Sequence, residues 1–263
     1  MNVRIAGADI RHDVQGSGPD VIFLHAFPLG LTMWDEQAKG LADVARVIRF
    51  DARGFGGSSA NDGALGMDRI ADDAAALLDH LRVDKAVVVG CSMGGYACFA
   101  MMRRHPGRVR ALVLQDTRAG ADSAEARVGR ATLANRVLAE GASAAVDAFL
   151  PRLLGATTQR DRSDLVDRVR AVILGNRPRG IADALLGLGA RPDSTPTLAR
   201  IQVPTLVVVG EEDVLTPPAE AEVMASAIAS AKLAIVPKAG HLASWEQPEA
   251  YNAALRAFLA GLG

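Results

Sequence analysis

The chain has 263 residues, 49% of them hydrophobic, with 29 Lys and Arg against 30 Asp and Glu for a net charge of −1. That length and apolar share suit one large domain, or one domain with an insert. The near-neutral balance excludes the basic surface of a nucleic-acid binder and gives no reason for attraction to an anionic membrane.

The opening stretch, MNVRIAGADIRHDVQGSG, carries no apolar leader, so no secretory signal is expected. It is read as an antiparallel hairpin at one sheet edge. Buried strands are expected at 21–27 (VIFLHAF) and 44–51 (VARVIRFD), where β-branched and apolar residues run together. Over 68–81, Ile70, Ala74, Leu77, Leu78 and Leu81 recur at helical spacing, with Asp68 as the expected N-cap. The longest uncharged stretch, 86–102, is interrupted by glycines and falls short of the roughly 20 apolar residues a membrane span needs. It reads instead as a strand at 86–90, a tight turn and a helix. The two cysteines, Cys91 and Cys98, both fall there; they are read as small buried residues, neither disulfide-bonded nor metal-binding, in a reducing cytoplasm.

A further strand is expected at 109–116 (VRALVLQD), then the alternation stops. From about 117 to 200 no strong strand pattern appears. Val146, Phe149, Leu150 and Leu153 suggest one helix there, and Leu165, Val169, Val172 and Ile173 another. The arginines of this block (Arg127, Arg130, Arg136, Arg152, Arg160, Arg162, Arg168, Arg170) are read as a solvated helix face paired with nearby acids. A contact from one of them to a substrate carboxylate is the alternative. Strands return at 205–210 (TLVVVG) and 232–237 (KLAIVP), and Pro248 opens a last helix carrying Tyr251, Leu255, Phe258 and Leu259. Alternating strands and helices predict a mostly parallel sheet with helices on both faces. Residues 1–116 and 201–263 then form the core, and 117–200 a helical cap.

Chemistry enters at 87–95, VVVGCSMGG. Gly90-Cys91-Ser92-Met93-Gly94 fits G-x-S-x-G in its required setting, after a strand and at the start of a helix. A chain that turns that sharply leaves no room for side chains at Gly90 and Gly94, and lifts the Ser92 hydroxyl above the sheet. A serine hydroxyl attacks only once a base takes its proton. Of the five histidines, His12, His80 and His105 are expected at the surface or at helix ends, and His25 is expected to shape the next loop. His241 is the expected base, because a loop after a parallel strand opens into the crevice where such sheets bind ligands. The base needs an acid to hold its tautomer. Three carboxylates follow TLVVVG, and Asp213 is preferred over Glu211 and Glu212 on loop register. The backbone N–H groups of Met93 and Phe27 are the expected oxyanion donors, with Ala26 the neighbouring alternative. Trp34, Leu215 and Trp245 are expected to line the substrate pocket, together with Phe27 and Met93.

These blocks, with His25-Ala26-Phe27-Pro28 and Asp51-Ala52-Arg53-Gly54-Phe55-Gly56-Gly57-Ser58, stand in an order that resembles the α/β-hydrolase superfamily over nearly the whole chain outside 117–200. The second block resembles the D-x-R-G-x-G-x-S loop of its esterase, enol-lactonase and haloperoxidase-like branches, where Asp51 and Arg53 are expected to brace the loop. The resemblance implies an eight-stranded sheet, a Ser92–His241–Asp213 triad, no cofactor and no metal. Ala26 departs from a frequent His-Gly, which puts the second oxyanion donor's geometry in question. Ser92 separates the chain from relatives that use Asp there (haloalkane dehalogenases, epoxide hydrolases) or Cys (dienelactone hydrolases). The expected function is cleavage of a small carboxylic ester, a serine carboxylesterase. The alternatives are a 3-oxoadipate enol-lactonase-like lactonase, a lyase like the menaquinone-pathway synthase with its Ser-Met-Gly-Gly elbow, and a ligand-binding receptor that keeps the fold. No nucleic-acid or membrane partner is expected, and the oligomeric state stays open.

Overall fold

The computed structural model describes residues 1–262; Gly263, the last residue of the expected core range, lies outside them. The chain opens with an antiparallel hairpin, β1 (Asn2–Ile5) and β2 (Ala8–Gln15). Then come β3 (Asp20–Leu24), α1 (Asp35–Gly40), β4 (Arg46–Phe50), α2 (Met67–His80), β5 (Ala86–Cys91), α3 (Met93–Arg104) and β6 (Val109–Gln115). Six helices follow without a strand: α4 (Ala124–Glu140), α5 (Ser143–Leu153), α6 (Ala156–Asp161), α7 (Ser163–Leu174), α8 (Pro178–Gly189) and α9 (Thr195–Leu198). The chain ends with β7 (Thr205–Gly210), α10 (Pro218–Ala227), β8 (Ala231–Val236), α11 (Ala243–Glu246) and α12 (Pro248–Ala260).

All eight strands form one sheet in the order β1-β2-β4-β3-β5-β6-β7-β8. Only the β1–β2 and β2–β4 pairs are antiparallel. From β4 to β8 the ladder is parallel, in a register that aligns Leu24 with Gly90, Gly90 with Leu114 and Leu114 with Val207. Every residue of β5 and β7 is buried. Their unbroken valine runs follow from this, since a parallel strand covered on both faces needs no polar alternation. The carboxyl ends of β3, β5, β6, β7 and β8 therefore sit side by side, and the loops that leave them share one edge.

Two local expectations need correction. α2 starts at Met67, whose side chain is buried, and Gly66 in extended backbone takes the cap position. Asp68 instead reaches across to Arg103 at 3.2 Å and Arg104 at 3.8 Å. His12 is buried: β2 lies between β1 and β4 rather than at the sheet edge, and the His12 ring lies 6.1 Å from that of His80 on α2. Burial, the strongest influence, lowers the His12 pKa. Among the described residues no helix is long and apolar enough to cross a membrane, and no group of three His, Cys, Asp or Glu side chains is placed to hold a metal ion.

Candidate active site

Ser92 lies between β5 and α3 with φ 52° and ψ −110°. A positive φ is costly for a residue with a Cβ, about 1–3 kcal/mol. Three hydrogen bonds hold it: Ser92 N–H donates to Gln115 O at 3.0 Å, and Ser92 O accepts from Tyr96 N at 3.0 Å and from Thr117 Oγ1 at 3.0 Å. The flanking glycines permit the close approach. A Cβ on Gly90 would stand 2.2 Å from Gly94 O, and one on Gly94 would stand 2.0 Å from Leu24 O. Neither glycine has positive φ, so space alone requires them. Cys91 is buried with Sγ toward His241 O at 3.7 Å, and burial pushes its thiol well up, away from nucleophilic use. Both cysteines are free thiols.

The loop after β7 gives its three carboxylates different partners. Glu211 accepts from Lys238 N at 3.2 Å, and Glu212 accepts from Thr157 N at 2.8 Å. Asp213 Oδ2 alone meets His241, accepting from Nδ1 at 2.8 Å. Its other bonds come from Leu215 N (2.8 Å), Thr216 N (3.1 Å) and Thr216 Oγ1 (2.6 Å). Burial pushes Asp213 upward, but the His241 charge and these donors outweigh it, and its pKa is lowered. Burial likewise pushes His241 down, but Asp213, Asp116 and Glu246 outweigh it and its pKa is raised. With Nδ1 engaged, Nε2 is the nitrogen left for proton exchange. The Ser92 hydroxyl makes no hydrogen bond among the described residues, and such nucleophile–base contacts commonly tighten only with substrate in place.

Sequence reasoning passed over Asp116. Its carboxylate, just past β6, accepts from Gly210 N at 2.8 Å, from Gln115 Nε2 at 2.9 Å and from Ala243 N at 3.3 Å. It so ties the ends of β6 and β7 to α11. Burial first, and Asp213 second, push its pKa well up. An Asp at a strand's carboxyl end was the available signal, the same one that points to Asp213. Thr216 was also missed; nothing in its sequence setting marks it.

The loop after β3 carries Ala26 and Phe27, the two residues expected to offer the second oxyanion donor. Ala26 N–H is spent on Met33 Sδ at 3.1 Å, which leaves Phe27 N–H and Met93 N–H without hydrogen-bond partners among the described residues. Ala26 does not adopt positive φ, so alanine in place of glycine brings no strain. His25 is buried and burial, its main influence, lowers its pKa. The neutral ring donates from Nδ1 to Ala26 O at 2.9 Å and accepts at Nε2 from Ala52 N at 3.0 Å. Asp51 accepts from Leu31 N at 2.7 Å and Gly57 N at 2.9 Å, while Arg53 grips Asp73 through two 2.7 Å bonds. Asn176, two residues past α7, crosses to the same loops, donating to Pro28 O at 2.9 Å and accepting from Gly56 N at 2.9 Å.

Ser92, His241, Phe27 and Leu215 line one cavity of about 490 Å³, closed on its other side by residues of α4, α5 and α8 such as Leu133, Phe149 and Leu185. Trp34 and Trp245, expected in this lining, are not part of it; nor is the Met93 side chain. Trp34 is fully buried against Phe23, ring centroids 4.9 Å apart, and near Tyr251. Trp245 is buried with the Arg168 guanidinium 4.8 Å over its ring. Both indole N–H groups are buried without a hydrogen-bond partner, so the two rings are held by packing rather than by hydrogen bonds.

The family model described as alpha/beta hydrolase fold matches residues 19–248. The chain is 30% identical to 3-oxoadipate enol-lactonase 2 of Acinetobacter baylyi, over 93% of this chain and 90% of that one. Among solved structures it is similar to a thermophilic esterase from Thermogutta terrifontis with malate bound, with TM-score 0.96 and 40% identity over 99% and 97% of the two chains. The enol-lactonase from Burkholderia xenovorans LB400 superposes with TM-score 0.92 at 29% identity, over 99% and 100%.

Proposed function

The chain belongs to the alpha/beta hydrolase fold family, and from that premise we propose that it is a serine hydrolase cleaving carboxylic esters through an acyl-enzyme. One observation carries the reading: Ser92 in its strained bend and His241, held from behind by Asp213, open onto the same cavity. Ser92 Oγ attacks the ester carbonyl as its proton passes to His241 Nε2, and Asp213 steadies the imidazolium. The oxyanion meets the Phe27 and Met93 N–H groups, the second at the positive end of α3. Collapse expels the alcohol, which takes the proton from His241, and water repeats the sequence to free the acid. Residues 117–200 serve as the cap over a core of 1–116 and 201–263. The free thiols accord with the cytoplasm as its compartment.

The 40% identity to an esterase supports the ester reading. The relation to 3-oxoadipate enol-lactonase 2 favours a second substrate type, a lactone, where the same steps apply and the leaving alcohol stays tethered. Hydrolysis of short and medium p-nitrophenyl esters tests the proposal. Wild type should turn over, Ser92→Ala should lose at least about a thousandfold in kcat, and a fluorophosphonate should label Ser92. No turnover together with no labelling sinks it. Comparing simple esters with enol-lactones separates the two substrate types.

A further inference from the structure

Four of the eight arginines expected on a solvated helix face do pair with acids near the surface: Arg136 with Glu140, Arg160 with Asp161, Arg162 with Asp164 and Arg168 with Asp35. One group is different. Arg118, Arg130 and Arg191 converge on the single carboxylate of Asp122, whose side chain is 0% exposed. Arg118 Nη2 and Arg191 Nη1 each reach Asp122 Oδ1 at 2.8 Å, and Arg130 Nε donates to Oδ2. Burial pushes the carboxyl upward, but the guanidiniums outweigh it and hold Asp122 down at about 2.

Arg191 is held away from the cavity that contains Ser92, and its Nε is buried without a hydrogen-bond partner. The side chain is 2% exposed, bonds Leu188 O at 2.9 Å and Gly120 O at 3.1 Å, and lies 4.2 Å over the Tyr96 ring. Arg118 and Arg130, by contrast, are 30% and 20% exposed and both line the cavity that holds Ser92. Each spends one nitrogen on Asp122. Arg118 Nε is buried without a hydrogen-bond partner, and Arg130 Nη1 and Nη2 have none among the described residues. One carboxylate cannot neutralise three guanidiniums. Glu220 adds an acidic influence on Arg118, but no ion pair joins them among the described residues. The cavity therefore has an apolar wall at Phe149 and Leu185 and, elsewhere in the lining, positive charge with donors unspent. Guanidinium is weakly hydrated and its fork matches a carboxylate.

We propose that Arg118 and Arg130 form an anion subsite, so that the substrate is an ester or lactone bearing a second, free carboxylate. Asp122, in the cavity lining but with its carboxylate covered by the guanidiniums, and Arg191, outside the lining, hold the two forks in place. The inference rests on the hydrolase reading for the ester end and on the arginine geometry for the acid end.

Matched ester pairs test it. In the acyl arm, mono-p-nitrophenyl glutarate is compared with methyl p-nitrophenyl glutarate; in the alcohol arm, 4-butyryloxybutanoate with its methyl ester. Wild type should favour the acid over its methyl ester in one arm, in kcat/KM, by on the order of tenfold to a hundredfold. The arm that shows it tells which end carries the carboxylate. Arg130→Gln and Arg118→Gln should each collapse that ratio, which is internally corrected for any loss of folded enzyme. No acid preference in either arm, or a ratio unmoved by both variants, overturns the subsite. If no ester is hydrolysed, the hydrolase reading has failed and direct binding decides the subsite alone. Glutarate should then bind Ser92→Ala by calorimetry and bind Ser92→Ala/Arg130→Gln at least about tenfold more weakly. Absence of glutarate binding to folded Ser92→Ala at millimolar concentration overturns it.

Discussion

The Asp213–His241 pair couples position to proton affinity. A 2.8 Å bond to a buried carboxylate fixes the Nδ1–H tautomer, and the acids around the ring outweigh burial to raise its pKa above 6.5. In the proposed mechanism His241 must be neutral to accept the Ser92 proton, so kcat/KM should fall as pH drops through a midpoint above 6.5. Asp213→Asn removes the strongest of those raising influences. Its acid limb should move to lower pH, and kcat should drop on the order of a thousandfold to ten-thousandfold. A pH–rate profile with an unmoved midpoint would contradict the assignment. Ser92 and His241 are legible in sequence because each sits in a short glycine-bearing loop after a strand. The choice of Asp213 from Glu-Glu-Asp is also legible, since only one register of the loop faces the ring. Trp34 and Trp245 are not legible as core residues, because an aromatic near a site motif looks the same whichever way its ring turns.

At the scale of elements, the bend works because three backbones nearly touch. A Cβ on Gly94 would meet the carbonyl of Leu24, and one on Gly90 the carbonyl of Gly94, so β3, β5 and α3 would have to separate. Gly94→Ala should cost about 3 kcal/mol or more in urea unfolding, the upper range for overpacking. Gly107→Ala, where nothing lies within 4 Å, should stay within about 0.5 kcal/mol. Equal effects of the two would remove the steric account. The strands flanking this bend were readable to within a few residues, because burial on both faces leaves long apolar runs. The helices of 117–200 were read less well. α4 buries only Ala134 and Val137 along its whole length, so it carries no apolar stripe to detect. That is why the inward turn of Arg130 was hidden among arginines that face solvent. α5 and α7, with real apolar faces, were found.

Across the whole molecule, one carboxylate joins the inserted helices to the loop that carries His241. Glu246, at the end of α11, accepts from Gly155 N at 2.8 Å on one oxygen. Its other oxygen accepts from Gly240 N at 2.9 Å and Leu242 N at 3.2 Å. The two glycines let the segments meet, since a Cβ on Gly240 would stand 2.2 Å from Gly155 N. Burial is the strongest influence on Glu246 and its pKa is raised in spite of the donors. Truncation leaves three buried N–H groups without an acceptor, and each such loss is expensive where water enters poorly. Glu246→Ala should therefore destabilise by about 3 kcal/mol. Glu246→Gln should cost less, because its carbonyl can still serve Gly240 and Leu242 while its NH₂ faces the Gly155 donor. The two effects should be coupled in space. Amide exchange at Gly155 and Gly240 should quicken together, and kcat should fall with them as His241 loses its fixed position. Faster exchange at Gly155 alone, with kcat intact, would mean that the inserted helices and the His241 loop are anchored independently.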